Sequence, residues 1–168
     1  MNASPNQNSV ESDLRRRLYD AYKNRALIYW HLFDELSAEV GPERAEEIMK
    51  RAIRRRGEEV GRKFRPYAPK NIEGLKAAFL GDIPDEGRMF QPEVLSSSPE
   101  GLDIYFRRCP LREAWQEAGL SDELVATLCR IAAEVDYGTF EGAGFRFRAD
   151  TWQPGEDGCC CLHISPGE

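Results

Sequence analysis

Residues 158–164 read Gly-Cys-Cys-Cys-Leu-His-Ile and hold three of the five cysteines and one of the two histidines. A thiol acts as nucleophile or metal ligand through its thiolate, and a nearby arginine or histidinium raises the thiolate fraction. On a strand, side chains alternate between faces. Cys160 then goes with Leu162 and Ile164 toward a core, as a small buried apolar residue. Cys159, Cys161 and His163 share the other face. Just upstream, Phe145 and Phe147 alternate with Arg146 and Arg148. One face of this hairpin is therefore apolar. The other gathers thiol, imidazole and guanidinium, which suits an activated thiol, or else cysteine used as filler between two covered faces.

Zinc is the rival chemistry. Structural zinc sites pair two ligand clusters of the C-x2-C kind. Here there is one cluster, Cys159-x-Cys161-x-His163, with Cys109 and Cys129 standing singly. His31 and Asp34 lie three apart, on one helical face, and could form a His–carboxylate pair. The basic stretch 50–65 carries Arg51, Arg54, Arg55, Arg62 and Lys63, but Glu46, Glu47, Glu58 and Glu59 flank it. Its reading is a salt-bridged helix face rather than a nucleic-acid surface. No G-x-S-x-G, H-E-x-x-H, phosphate-binding loop or dinucleotide fingerprint is present.

The elements that must position these residues form an α+β pattern, with N-terminal helices packed on a C-terminal, mostly antiparallel sheet and helices inserted in it. Leu14, Leu18, Tyr22, Ile28, Tyr29, Leu32, Phe33 and Leu36 recur at helical spacing over 13–38. Gly41-Pro42 separates this helix from a second, over 42–64. There Gly57 and Gly61 bare one turn, for close helix approach or as a weakened end. Asn71 caps a short helix over 72–80. MFQPEVL and LDIYFRRC read as strands joined by SSSPEG. Two helices follow Pro110 and Ser121, the latter with Ser121 as N-cap. GFRFRADTW and CCCLHI are strands around the turn QPGEDG.

At 168 residues the chain fits one domain, over 13–168, preceded by a polar disordered tail at 1–12. The net charge of -6 disfavours nucleic acid and anionic membrane as partners. No apolar run reaches the ~20 residues of a membrane span, and the N-terminus lacks the features of a signal peptide. The expected location is the cytoplasm, where an odd count of five cysteines stays reduced. The apolar first helix suits a homodimer.

Several features together resemble the L-2-amino-thiazoline-4-carboxylic acid hydrolase family. They are RALIYWHLFDELSAEVGPERAEEI, Cys109-Pro110, Leu128-Cys129, Asp136, the stretch Thr151 to Gly155 and the terminal cysteine strand. The family is distantly similar to 4-vinyl-reductase-type ligand-binding domains, with helices packed on an antiparallel sheet. The resemblance implies hydrolysis of a small cyclic amidine, 2-amino-thiazoline-4-carboxylate, to N-carbamoyl-cysteine, without a cofactor. That chemistry is expected to need attack on the amidine carbon, a proton for the departing nitrogen and a cation for the carboxylate. The implied catalytic residues are Cys109 or Cys129 as nucleophile, Asp136 as base or amidinium partner, and His163 as proton shuttle. Arg107 or Arg148 would hold the carboxylate, with Cys159 and Cys161 lining the substrate site. The alternatives are a non-enzymatic small-molecule sensor, given the aromatic first helix, and a zinc-carrying interaction domain.

Overall fold

A computed structural model describes residues 5–168. Five α-helices and four strands follow in the order α1 (Pro5–Val40), α2 (Pro42–Gly61), α3 (Ile72–Gly81), β1 (Pro92–Ser98), β2 (Gly101–Phe106), α4 (Pro110–Glu117), α5 (Asp122–Ala143), β3 (Arg146–Asp150) and β4 (Cys161–Ser165). The class is α+β, as expected. Residues 5–12, expected to be tail, belong to α1, and residues 1–4 lie outside the described residues. The reason is local: Pro5 suits a first helical turn, and neither glycine nor proline interrupts residues 6–40.

The helix boundaries follow their capping residues. Asn71 accepts the Gly74 N–H at 2.9 Å and Ser121 accepts that of Leu124 at 3.3 Å. Helix α2 stops at Gly61, and Arg62–Tyr67 tightens into a 3-10 turn. The first strand begins later than expected. Residues 88–90 form a turn that Gln91 closes with φ +47°. Strand β1 then runs on through its serines, so the hairpin pairs Ser98 with Gly101.

The sheet has order β1-β2-β4-β3, with every neighbouring pair antiparallel. Its inner face presents Leu102, Ile104, Phe106, Phe147, Leu162 and Ile164, which pack with Phe64, Ile72, Leu75 and Phe140. A second cluster lies among the helices, around Trp115, Leu128, Ile131, Met49 and Phe33. Cys109 packs against both clusters, so the start of α4 marks where the two cores meet.

Helix α5 serves both cores and is held against α2 at backbone contact. A Cβ at Gly57 would stand 2.2 Å from the Val135 carbonyl oxygen, and one at Gly138 would stand 2.1 Å from that of Arg54. Thr139 Oγ1 donates to Val135 O at 2.7 Å within this seam. The glycines of α2 therefore serve close helix approach. At its rim, Arg54 reaches Glu134 at 2.9 Å and also pairs with Glu141, so part of the basic stretch is a salt-bridged face.

Candidate active site

Between the two cores lies a cavity of about 220 Å³. Phe79, Phe90, Phe106, Leu111 and Trp115 give it an apolar wall, and its polar groups come from three directions. Helix α1 brings Tyr22 and Arg25, α5 brings Cys129 and Asp136, and the ends of the sheet bring Cys109, Cys159 and Cys160. The anchoring is specific. Trp115 is fully buried, and its Nε1 donates to Ala26 O at 2.7 Å, fixing α4 beside the Arg25 turn of α1.

Cys109 is the N-cap of α4, with extended backbone at φ -144° and ψ 116°. Pro110 at the first helical position needs no N–H partner there. Three influences hold the Cys109 thiol below its ordinary pKa against the opposing effect of burial. In order, they are the neighbouring Cys159 thiol, the N–H groups of Arg112 and Leu111 at the start of α4, and the Arg112 charge. A helix N-terminus beside a cation is a setting that favours thiolate. Arg112 stacks over Trp152 at 5.7 Å, and its buried Nε has no hydrogen-bond partner among the described residues. Cys159 shifts the other way. With the Cys109 and Cys160 thiols as neighbours it is raised strongly, and burial adds to this. Burial also raises the Cys129 thiol, which sits inside the helical core as a neutral group.

Asp136 faces the same cavity. Burial lifts its pKa from 3.8 to about 7, with the charge of Arg25 pulling the other way. A carboxyl group poised near neutrality can both give and take a proton. Arg25 is gripped by aromatic faces, 5.9 Å from the Tyr22 ring centroid and 5.4 Å from that of Tyr29. This leaves its guanidinium edge for an anion. The loop after α3 adds Asp82, Ile83 and Pro84 to the cavity wall. Arg15 clasps that loop to α1 through both oxygens of Asp85, at 3.0 Å each.

A sequence model of the L-2-amino-thiazoline-4-carboxylic acid hydrolase family matches residues 21–164. The chain belongs to this family. No curated protein matches it. The matched region contains every polar group of the cavity named above, from Tyr22 to Cys160.

Against the family-based expectations, the structure brings Cys109, Cys129, Asp136 and Cys159 together and leaves the others elsewhere. Arg107 pairs with Glu93, and Arg148 pairs with Asp150, both exposed. Cys161 and His163 lie on the outer face of the sheet. There His163 Nδ1 contacts Asp103 at 2.6 Å and Nε2 contacts Asp150 at 2.9 Å. His31 stacks on Trp30, with ring centroids 4.5 Å apart, rather than pairing with Asp34.

Simple alternation assigned Cys159 to the outer face with Cys161, and Cys160 alone to the core. In the structure both line the cavity. The Cys159 N–H donates to Phe106 O at 2.9 Å, while the Phe106 N–H donates to Cys160 O at 2.8 Å. Two cysteines thus oppose one residue, a β-bulge that breaks the two-residue period and re-aims a side chain. Gly158 leads into the bulge at φ +75°, where a Cβ would strike the Tyr105 hydroxyl.

Arg25 is the residue that sequence reasoning did not assign. It opens the first stretch that carries the family resemblance, but nothing in that stretch marks it as facing the cavity. Among the described residues no group of three or more His, Cys, Asp or Glu is placed to hold a metal ion. No described helix is long and apolar enough to cross a membrane.

Proposed function

We propose that the protein hydrolyses a small cyclic amidine bearing a carboxylate, of the 2-amino-thiazoline-4-carboxylate type. The observation that carries this reading is the convergence of Cys109, Asp136 and Arg25 on one cavity. Each matches one need of the reaction. Arg25 receives the carboxylate in a charge-assisted pair. The Cys109 thiolate attacks the amidine carbon, and the ring carbon–sulfur bond breaks. Neutral Asp136 gives its proton to the departing sulfur. This leaves an S-linked isothiourea on Cys109. Asp136, now ionised, takes a proton from water as that water adds to the same carbon. Cys109 then departs as thiolate. The product is N-carbamoyl-cysteine with its free thiol, and the enzyme groups return to their starting states.

The test is free-thiol release from the thiazoline by purified protein. Turnover that falls sharply in Cys109→Ala, Asp136→Asn and Arg25→Met supports the reading. Turnover that none of the three substitutions affects rejects this site, and a wild-type protein without turnover rejects the activity. A second reading, a binding domain without turnover, draws on the aromatic wall of Phe79, Phe90, Phe106 and Trp115. It predicts saturable binding of the thiazoline with no thiol released.

A further inference from the structure

The hydrolytic reading uses one thiol, yet the cavity holds four: Cys109, Cys129, Cys159 and Cys160. Their arrangement is unequal. Cys109 stands half-buried at the start of α4, three residues before Arg112, and packs against the sheet cluster that includes the buried Cys159. The bulge opposite Phe106 turns Cys159 inward, where strand alternation would have sent it out.

We propose that Cys109 and Cys159 form a peroxide-sensitive thiol pair, in which Cys109 is oxidised first and Cys159 resolves it into a disulfide. The proposal shares the Cys109 thiolate with the hydrolytic reading but does not depend on hydrolysis. The oxidant is a hydroperoxide small enough for the cavity. The Cys109 thiolate attacks one peroxide oxygen, the O–O bond breaks, and hydroxide leaves and is protonated to water. Cys109 is then a sulfenic acid, oxidised by two electrons. The Cys159 thiol loses its proton and its sulfur attacks the Cys109 sulfur. The S–S bond forms, the S–O bond breaks, and the departing hydroxide takes the proton to give a second water. Two thiols and one hydroperoxide thus give one disulfide and, with hydrogen peroxide, two waters.

The other thiols are poorer partners. Cys160 Sγ lies 3.2 Å from Cys159 Sγ, but the two residues are adjacent in the chain. Adjacent Cα atoms across a trans peptide are ~3.8 Å apart, and disulfides favour about 4.4–6.8 Å. Cys129 is buried in the helical core, and Cys161 points to the other face of the sheet.

The experiment is thiol mapping of the full-length protein. The protein is treated with hydrogen peroxide in small excess, its remaining thiols are alkylated, and its peptides are sequenced by mass spectrometry. The expected result is a Cys109 peptide joined to the Cys159 peptide, released by dithiothreitol and retained in Cys160→Ser. In Cys159→Ser, Cys109 should instead be captured by dimedone as the sulfenic acid. Two wild-type results overturn the proposal: Cys109 alkylated as fully after peroxide as before, or Cys109 oxidised with no link to Cys159. Neither result depends on the variants folding. Thiazoline turnover plays no part in the readout, so loss of the pair and loss of the hydrolytic reading are separate outcomes.

Discussion

Cys109 combines accessibility from the cavity with a favoured thiolate. It stands at the N-cap position of α4, it is half-buried, and its thiolate is favoured by Cys159, the N–H groups that open α4 and the Arg112 charge. Asp136 provides a different handle, since its folded pKa of about 7 stands above its ordinary value of 3.8. A raised carboxyl stabilises the fold fully below the ordinary value, and that contribution is lost as pH rises through about 7. Asp136→Asn removes the titration. Its melting temperature relative to wild type should therefore rise between pH 5 and pH 8, by a few degrees, in scanning calorimetry across that range. The same substitution should lower thiol release by roughly 10²–10⁴-fold, the usual contribution of a positioned acid–base group. His163→Ala, by contrast, should leave thiol release unchanged, because its imidazole is committed to Asp103 and Asp150 on the far side of the sheet. Part of this was readable in the sequence. Cys109, Cys129 and Asp136 stood out by motif. Arg25 did not, because an arginine on an amphipathic helix carries no mark of what it faces. Cys159 was sent to the wrong face because a bulge adds one residue to the count, and nothing in Cys-Cys-Cys marks where it falls.

The element that decides the cavity is α5, which reaches the cavity with Asp136 and Cys129 while its glycines seat it on α2. The seam leaves no room for a methyl group. Gly138→Ala should cost about 1–3 kcal/mol or more, because the new Cβ meets the Arg54 carbonyl rather than a flexible side chain. Gly81→Ala is the matched control. Nothing stands within 4 Å of its new Cβ, so it should be neutral or stabilising by up to about 1 kcal/mol. Urea denaturation of the two variants checks both figures. The order of helices and strands was legible because its punctuation is chemical: Gly41-Pro42, Asn71, Cys109-Pro110 and Ser121 all act at element ends. The start of α1 was missed because a polar composition at 5–12 conceals a stretch without helix breakers. The start of β1 was missed because Met89 and Phe90 are apolar yet belong to a turn closed by Gln91 at positive φ.

For the whole molecule, the cavity follows from the architecture. Helices pack on helices at one end and on the sheet at the other, and the side chains of α1, α4, α5 and the bulged strand meet where the two cores join. That juncture was not legible in the sequence, since its members come from segments far apart along the chain. We propose that this juncture is catalytic through Cys109. The most direct test compares the rate of free-thiol release from 2-amino-thiazoline-4-carboxylate by the wild-type protein and by Cys109→Ala, both shown to be folded by circular dichroism. The expected result is turnover by the wild type and a loss of about 10²-fold or more in the variant. Equal rates in the two proteins would contradict it.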